Sequence, residues 1–417
     1  MIESILIKGF RGIRSGQIDG FRKFNVFVGP NNSGKSAVIE SLYLAGTAGQ
    51  KAHLVTQPDQ QQNTETLPVS ISSPDLLGAP PLAQVLGRHN YAGQRSSRWE
   101  EGVIKVQVMD KKAPFTGFDI YAGQEHLFAR EEEPHIAIFS LDLSGTEDQE
   151  IGKLVVKLIG QEAKPFSDKR VIFCWSPELS HFGKGSATWM IKGQPPVARH
   201  TLLFDTTVAQ GQLSSLFIQE MLGNIPGFTQ RIGQHVGAVF NFEPSSFNVQ
   251  FLPINGGENR LQGWIAPKDR PGLPIDTFGD GMRAAFKLLT PLVALAESAT
   301  QEEPGLLLWE EPESFQNPKT LANLLKEVAV LIEKRPVQVF FATHSLEFVA
   351  HLTLMLQSGQ IDPDEVKLFR LNLADGEMKY SWFDSNNMAA WLESGMDPRV
   401  WGDFLPPVQF RLQEEHR

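Results

Sequence analysis

One eight-residue stretch constrains this chain more than any other: "GPNNSGKS", which is Gly29, Pro30, Asn31, Asn32, Ser33, Gly34, Lys35 and Ser36. It fits G-x-x-x-x-G-K-[ST]. An apolar run that reads as a strand, "FNVFVG", precedes it, and "SAVIESLYLAG" follows, with Val38, Ile39, Leu42 and Tyr43 at helical spacing. Strand, glycine-bearing loop and helix in that order make a cradle for phosphate, because successive backbone N–H groups and the helix N-terminus surround the anion. Gly34 permits the close backbone approach, Lys35 reaches the β- and γ-phosphate oxygens, and Ser36 holds Mg²⁺. The bland alternative is a glycine turn with an exposed lysine, and the flanking strand and helix weigh against it.

A bound cation explains a second oddity. "LLLWEEPES", residues 306–314, runs four large apolar residues straight into adjacent carboxylates. Two like charges at the mouth of a buried strand repel unless a divalent ion and its waters draw the first toward its anionic form. Beside a phosphate loop, Glu310 would support Mg²⁺ through its water shell, and Glu311 would orient and deprotonate the attacking water. Glu313 reads as the cap or start of the next helix, "PKTLANLLKEV". "FFATHS" ends another apolar strand, with Thr343 and His344 where a polar sensor of the γ-phosphate would sit; the alternative is a satisfied histidine of the surface or core. In "DTFGDGMRAAF", Gly279, Asp280 and Gly281 precede an amphipathic helix and form a second anion cradle. One chain needs only one such cradle, so the second suggests a phosphate supplied by a neighbour.

Composition narrows the setting. The balance of 38 Lys+Arg against 48 Asp+Glu, net −10 over 417 residues, argues against a surface that coats nucleic acid and leaves a local basic patch open. The one cysteine, Cys174 in "VIFCW", excludes an internal disulfide framework and a Cys-rich metal site, and reads as a buried small apolar residue. "MIESILIKGF" has no apolar leader region, and no apolar run is long enough to span a bilayer, so a cytoplasmic location is expected.

Along the chain, residues 1–46 read as the first part of a phosphate-binding core: two strands, "SILIKGF" and "FNVFVG", joined through Gly12, Gly16 and Gly20. Residues 47–210 read as a polar loop ("TQPDQQQNTET") and then an antiparallel β layer that includes "TLLFDTT". A helical subdomain is expected over 211–270, with a Gly/Pro-rich loop over 253–274. From 271 to 417, helical and strand patterns alternate, the mark of an α/β fold with a largely parallel sheet. No sustained heptads appear.

Taken together, "IKGFRGI" with Phe10 and Arg11, "GPNNSGKS", "FGDGMR", "LLLWEEPE" and "FATHS" stand in the order of a known group. The chain resembles the ABC-type ATPases of the overcoming-lysogenisation-defect and SMC-like group over about half its length, at its two ends. The resemblance implies a P-loop ABC-type α/β head with a β-rich layer and an inserted helical subdomain, using ATP and Mg²⁺. It implies that the head pairs head to tail with a copy of itself. Each ATP would then lie between Lys35, Ser36, Glu310, Glu311 and His344 of one subunit and Gly279, Asp280 and Gly281 of the other. Arg11 would contact the nucleotide, or else belong to an ordinary strand-end pair.

There are departures from that group. Glu310 replaces the commoner aspartate, and "SFQNP" (314–318) stands where many relatives carry a histidine-containing segment. The group's Q-loop glutamine is not placed among Gln57, Gln60, Gln61, Gln62 or Gln84. Asp362 and Asp364 in "IDPDEV" have too little chain after them for the Toprim nuclease that some relatives carry, so no nuclease is expected.

The leading expectation is an ATPase of an even-numbered homo-oligomer that switches a separate effector protein, as in the ATPase halves of bacterial anti-phage systems. The alternative is a nucleotide-gated, DNA-binding clamp of the SMC-like type, which would want a long coiled coil. A transporter subunit would want an LSGGQ-like segment in place of "FGDGM", and no membrane partner is expected.

Overall fold

A computed structural model describes residues 1–10, 12–47, 200–243, 246–254, 261–268, 271–302 and 304–394, and six strands between 103 and 192. β1 (Ile2–Phe10) and β2 (Ile13–Asp19) form an antiparallel hairpin whose turn includes Gly12 at φ +86°, a left-handed conformation that favours glycine. β3 (Phe24–Val28) leads through the phosphate loop into α1 (Lys35–Thr47). The six strands are β4 (Val103–Asp110), β5 (Thr116–Gln124), β6 (Ile136–Ser140), β7 (Leu154–Leu158), β8 (Arg170–Trp175) and β9 (Thr188–Lys192). After β10 (His200–Phe204) come α2 (Thr206–Gln210), α3 (Ser215–Asn224) and α4 (Phe228–Phe240). β11 (Phe247–Pro253), β12 (Leu261–Pro267) and β13 (Leu273–Pro274) form a small antiparallel sheet. Then follow α5 (Asp280–Ser298), β14 (Gly305–Glu310), α6 (Pro318–Ile332), β15 (Val337–Ala342) and α7 (Leu346–Gln357). β16 (Val366–Ala374), β17 (Glu377–Phe383) and α8 (Ser385–Ser394) complete the described chain.

The fold is mixed α/β. Among the described residues, fourteen strands join one sheet in the order β10-β14-β15-β3-β16-β17-β2-β1-β4-β5-β6-β7-β8-β9. Its first five strands are mutually parallel. β3, β10, β14 and β15 are buried at every position, which is why they read as unbroken apolar runs: a parallel sheet is covered on both faces. One face packs Leu307, Trp309, Val339 and Phe341 against Phe286, Leu289 and Val293 of α5, in a cluster shared with α4 and α6. On β3, β15 and β16 the alternate residues Phe27, Phe340 and Phe369 meet around Phe21, with Phe21 edge-on to Phe340 at 4.9 Å. Such aromatic pairs add about 0.5–1.5 kcal/mol each beyond area burial.

The sheet curls around α1, which packs on β10, β14 and β15 at one side and on β1, β4 and β5 at the other. A buried side chain fastens the curl. Gln338 on β15 accepts from the backbone N–H of Ile2 at 2.8 Å and donates to the carbonyls of Ile2 at 2.9 Å and Arg22 at 2.7 Å.

Three expectations are corrected. The connection through Gly12, Gly16 and Gly20 contains a strand, β2; Met378 lies where a Gly16 Cβ would be, at 2.6 Å, so glycine serves close packing there and disguises the strand pattern. "TLLFDTT" does not join the antiparallel layer: β10 runs parallel to β14 in the core sheet. The stretch 211–270 is not wholly helical, since β11 and β12 lie in its second half. Within the layer itself the pairings are antiparallel except β5 with β6. The polar stretch expected to open that layer lies outside the described residues. Among the described residues no helix is long and apolar enough to cross a membrane.

Candidate active site

Because β3, β10, β14 and β15 are parallel and adjacent, the segments after them emerge at one edge of the sheet. The loop after β3 turns on three left-handed residues, Gly29 at φ +145°, Asn32 at +62° and Gly34 at +91°. At Gly29 a Cβ would fall 2.5 Å from the carbonyl oxygen of Leu371, so backbone packing alone demands glycine there. Asn31 is exposed, Ser33 is buried, and Ser36 is half-buried in the first turn of α1. The Lys35 ammonium, buried at 6 % exposure, donates to the carbonyls of Gly29 at 3.0 Å and Pro30 at 2.9 Å and to the Ser33 hydroxyl at 3.3 Å.

Burial is the largest influence on that ammonium and lowers its pKa from 10.5 to about 8; the carboxylates of Glu310, Glu313 and Glu311, in that order of strength, oppose the fall. The phosphate-loop lysine and all three acidic residues of "EEPE" therefore share one electrostatic neighbourhood. Glu310 is the last residue of β14 and is buried. Glu311 is exposed and left-handed at φ +51°, an uncommon conformation for a side chain of its size; its N–H donates to Ala342 and its carboxylate accepts from the Ser314 hydroxyl at 3.2 Å.

Glu313 does not start or cap the next helix. Asn317 caps α6, accepting from the Thr320 N–H at 3.0 Å. Glu313 instead reaches across to the end of β15, where it accepts from the Thr343 hydroxyl at 2.8 Å and from the His344 backbone N–H at 3.0 Å. Thr343 in turn accepts from the Ser345 N–H, so the "THS" segment is braced at consecutive residues. A second residue escaped the sequence reading. Asp205 follows β10 one step beyond the Phe204–Trp309 pair, is 4 % exposed, accepts from the Val208 N–H, and lines the same cavity as Glu310 and Glu311. Only the parallel pairing of β10 with β14 brings it to this edge, and an apolar run does not reveal its neighbour.

Gly279 is the N-cap of α5, but Asp280 and Gly281, expected to precede that helix, form its first turn, where Asp280 pairs with Arg283 at 2.5 Å. The two glycines differ. Nothing lies within 4 Å of where a Gly279 Cβ would be, whereas a Gly281 Cβ would meet the Phe315 carbonyl oxygen at 2.8 Å. The structure thus brings Lys35, Ser36, Glu310, Glu311, Thr343 and His344 to one sheet edge and shows Gly281 packed on the segment after Glu311. Arg11 and the glutamines considered for the Q-loop lie outside the described residues, and of Phe10 only its place in β1 is described.

These residues fit ATP with Mg²⁺. A buried cation ringed by oxygen acceptors suits a polyphosphate, while a serine hydroxyl and a buried carboxylate are the hard oxygen donors that Mg²⁺ takes.

Comparison with known proteins agrees in kind. Residues 1–70 match a family described as "AAA ATPase domain", and residues 208–350 match "AAA domain, putative AbiEii toxin, Type IV TA system". Over 43 residues the chain is 49% identical to an "ATP/GTP phosphatase" of Helicobacter pylori, covering 10% of this chain and 12% of that protein. It is 46% identical over 44 residues to a Methanocaldococcus jannaschii protein, covering 11% of this chain and 20% of the other. The chain therefore spans a fifth or less of these curated relatives. Among solved structures, an SMC head bound to the C-terminal winged-helix domain of ScpA is 12% identical, with a TM-score of 0.45, over 92% of this chain and 97% of that one. RecF with a bound ATP analogue is 10% identical, with a TM-score of 0.41, over 91% and 98%. These superpositions are too loose to bear on activity. The two family matches enclose the phosphate loop, the Gly279–Gly281 loop, the acidic strand end and His344, so the elements brought to this edge of the sheet are those of an ATPase-type domain.

Proposed function

We propose that this chain is an ABC-type ATPase that binds ATP at the loop 29–36, pairs head to tail with a second copy around the nucleotide, and hydrolyses ATP to ADP and phosphate. One observation carries the reading: β3, β15 and β14 run parallel side by side, so the phosphate loop with Lys35 and the Glu310–Glu313 segment, nearly three hundred residues apart in sequence, emerge at the same edge of the sheet, where those carboxylates act on the Lys35 ammonium. Lys35 would neutralise the β- and γ-phosphate oxygens, trading the carbonyls of Gly29 and Pro30 for the anion. Mg²⁺, when bound through Ser36 and Glu310, would offset the charge that builds on the transferring phosphoryl group. Glu311 would take the proton of the water that attacks the γ-phosphorus as the bond to the bridging oxygen of ADP breaks. His344, its backbone held by Glu313, would sense the γ-phosphate. Gly279, with open space beside it, would complete the partner's site.

The output is proposed to be a switch acting on a separate effector protein in bacterial anti-phage defence, in the cytoplasm. Supporting this are the stand-alone ATPases that the motifs resemble and the toxin–antitoxin description of the family matching residues 208–350.

The test is Glu311→Gln. It should lower hydrolysis by about 10²- to 10⁴-fold, the range for loss of a general base, and hold an ATP-dependent dimer visible by light scattering. A variant that hydrolyses normally and never pairs would sink the proposal. Salt-sensitive duplex DNA binding that depends on nucleotide would point instead to the clamp.

A further inference from the structure

The segment between the acidic strand end and α6 is shaped by its own turns. It begins at Glu311 and contains Phe315, both left-handed at φ +51° and +68°; turns close from Ser314 N–H to Glu311 and from Gln316 N–H to Glu313; and the Asn317 cap ends it. Its outward contact is with the first turn of α5. The Gln316 side-chain amide donates to the carbonyl of Gly281 at 3.0 Å, and the Phe315 carbonyl sits where a Gly281 Cβ would be. Gly281 is therefore glycine for a reason internal to the chain. The other end of the Gly279–Gly281 turn is also tied down. Lys287, buried on α5, pairs with Asp276 at 3.3 Å, and Gln262 of β12 donates to Asp276 at 2.8 Å, just upstream of the turn. Of these two tethers, only Gln316 leads back to the catalytic carboxylates.

Two polar side-chain atoms of the residues on these elements are left over. Gln316 Oε1 and Arg283 Nε are both buried and have no hydrogen-bond partner among the described residues. A buried acceptor without a partner disfavours the arrangement that strands it, so the Gln316 amide has an acceptor left to satisfy.

We propose that Gln316 is a positioning residue: through its amide it ties the segment after Glu311 to the N-terminal turn of α5 at Gly279–Gly281, so that nucleotide at Lys35 resets the surface that this turn offers to a second copy. The inference rests on the proposed ATPase reading and adds a route within one chain from the acidic strand end to that turn. It also gives "SFQNP" a function in place of the histidine-containing segment of the relatives.

The experiment is hydrogen–deuterium exchange of the full chain, dilute enough to stay monomeric, with and without the slowly hydrolysed analogue ATPγS. Wild type is compared with Gln316→Met, which keeps length and packing but lacks the donor, and with Gln316→Glu, which can only accept. In wild type, nucleotide should change exchange over residues 278–283 by about three- to tenfold, the worth of one hydrogen bond. Both variants should lose that response while binding ATPγS within about twofold of wild type, because Gln316 does not touch the phosphate loop; unchanged thermal melting would show that they are folded. A response that survives in Gln316→Met overturns the proposal, as does a wild type that binds nucleotide yet shows no change at 278–283. A chain that binds no nucleotide sinks the ATPase reading together with this one. A chain that binds and responds but never dimerises sinks only the head-to-tail pairing.

Discussion

Thr343 donates its hydroxyl proton to Glu313 at 2.8 Å, joining the ends of two parallel strands whose residues lie thirty positions apart. Through the same carboxylate the His344 N–H is fixed at 3.0 Å. Glu313→Ala should therefore release His344 and lower the turnover rate by about 10- to 100-fold, the cost of misplacing a reacting group by about 1 Å, with a much smaller effect on nucleotide affinity. Pre-steady-state phosphate release against equilibrium nucleotide binding separates the two.

The pKa of Lys35 makes a second prediction. Folding lowers it from 10.5 to about 8, so between those values the unfolded chain holds the proton that the folded chain has released, and stability from this group rises with pH across that window. Below pH 8 both states are protonated and the contribution is flat. Nucleotide acts in the opposite sense, because bound phosphates favour the ammonium. ATP affinity should fall above about pH 8, by up to about tenfold per pH unit, with uptake of a proton on binding. Calorimetry in buffers of differing ionisation enthalpy reads that uptake directly.

The two glycines of the 279–281 loop should behave differently. Gly281→Ala places a Cβ 2.8 Å from the Phe315 carbonyl, so the melting temperature of the monomer should drop, by an amount equivalent to about 1–3 kcal/mol of overpacking. Gly279→Ala meets nothing within 4 Å, so it should lower the melt by no more than the cost of alanine at a helix N-cap while weakening ATP-dependent pairing. Differential scanning calorimetry beside light scattering distinguishes the cases.

Gln338→Leu should destabilise the fold without touching the site. It strands the Ile2 N–H and removes the side-chain donor from two carbonyls, at about 1–3 kcal/mol for each buried group left unpaired. A lower urea midpoint at unchanged slope would show it.

What the sequence made legible was local. "GPNNSGKS" declares itself because the strand, the glycines, the lysine and the helix that use one another are consecutive. Glu313 was misread because its partners, Thr343 and His344, belong to another strand, and a helix start a few residues on offered a nearer explanation. Asp205 was missed because an apolar run such as "HTLLF" shows that a strand is buried without showing its direction or neighbour. β2 stayed hidden where Gly16 and Ser15 dilute its alternation. The small sheet β11–β13 was masked by its own glycines and prolines.

The neighbours of β3 carry a consequence for biosynthesis. Both strands flanking it in the sheet, β15 and β16, come from beyond residue 336. At about 5–20 residues per second, a ribosome that has made Lys35 needs on the order of tens of seconds to deliver them. Throughout that interval "FNVFV" lacks both of its native sheet neighbours, and an apolar strand with unpaired edges is a segment open to aggregation.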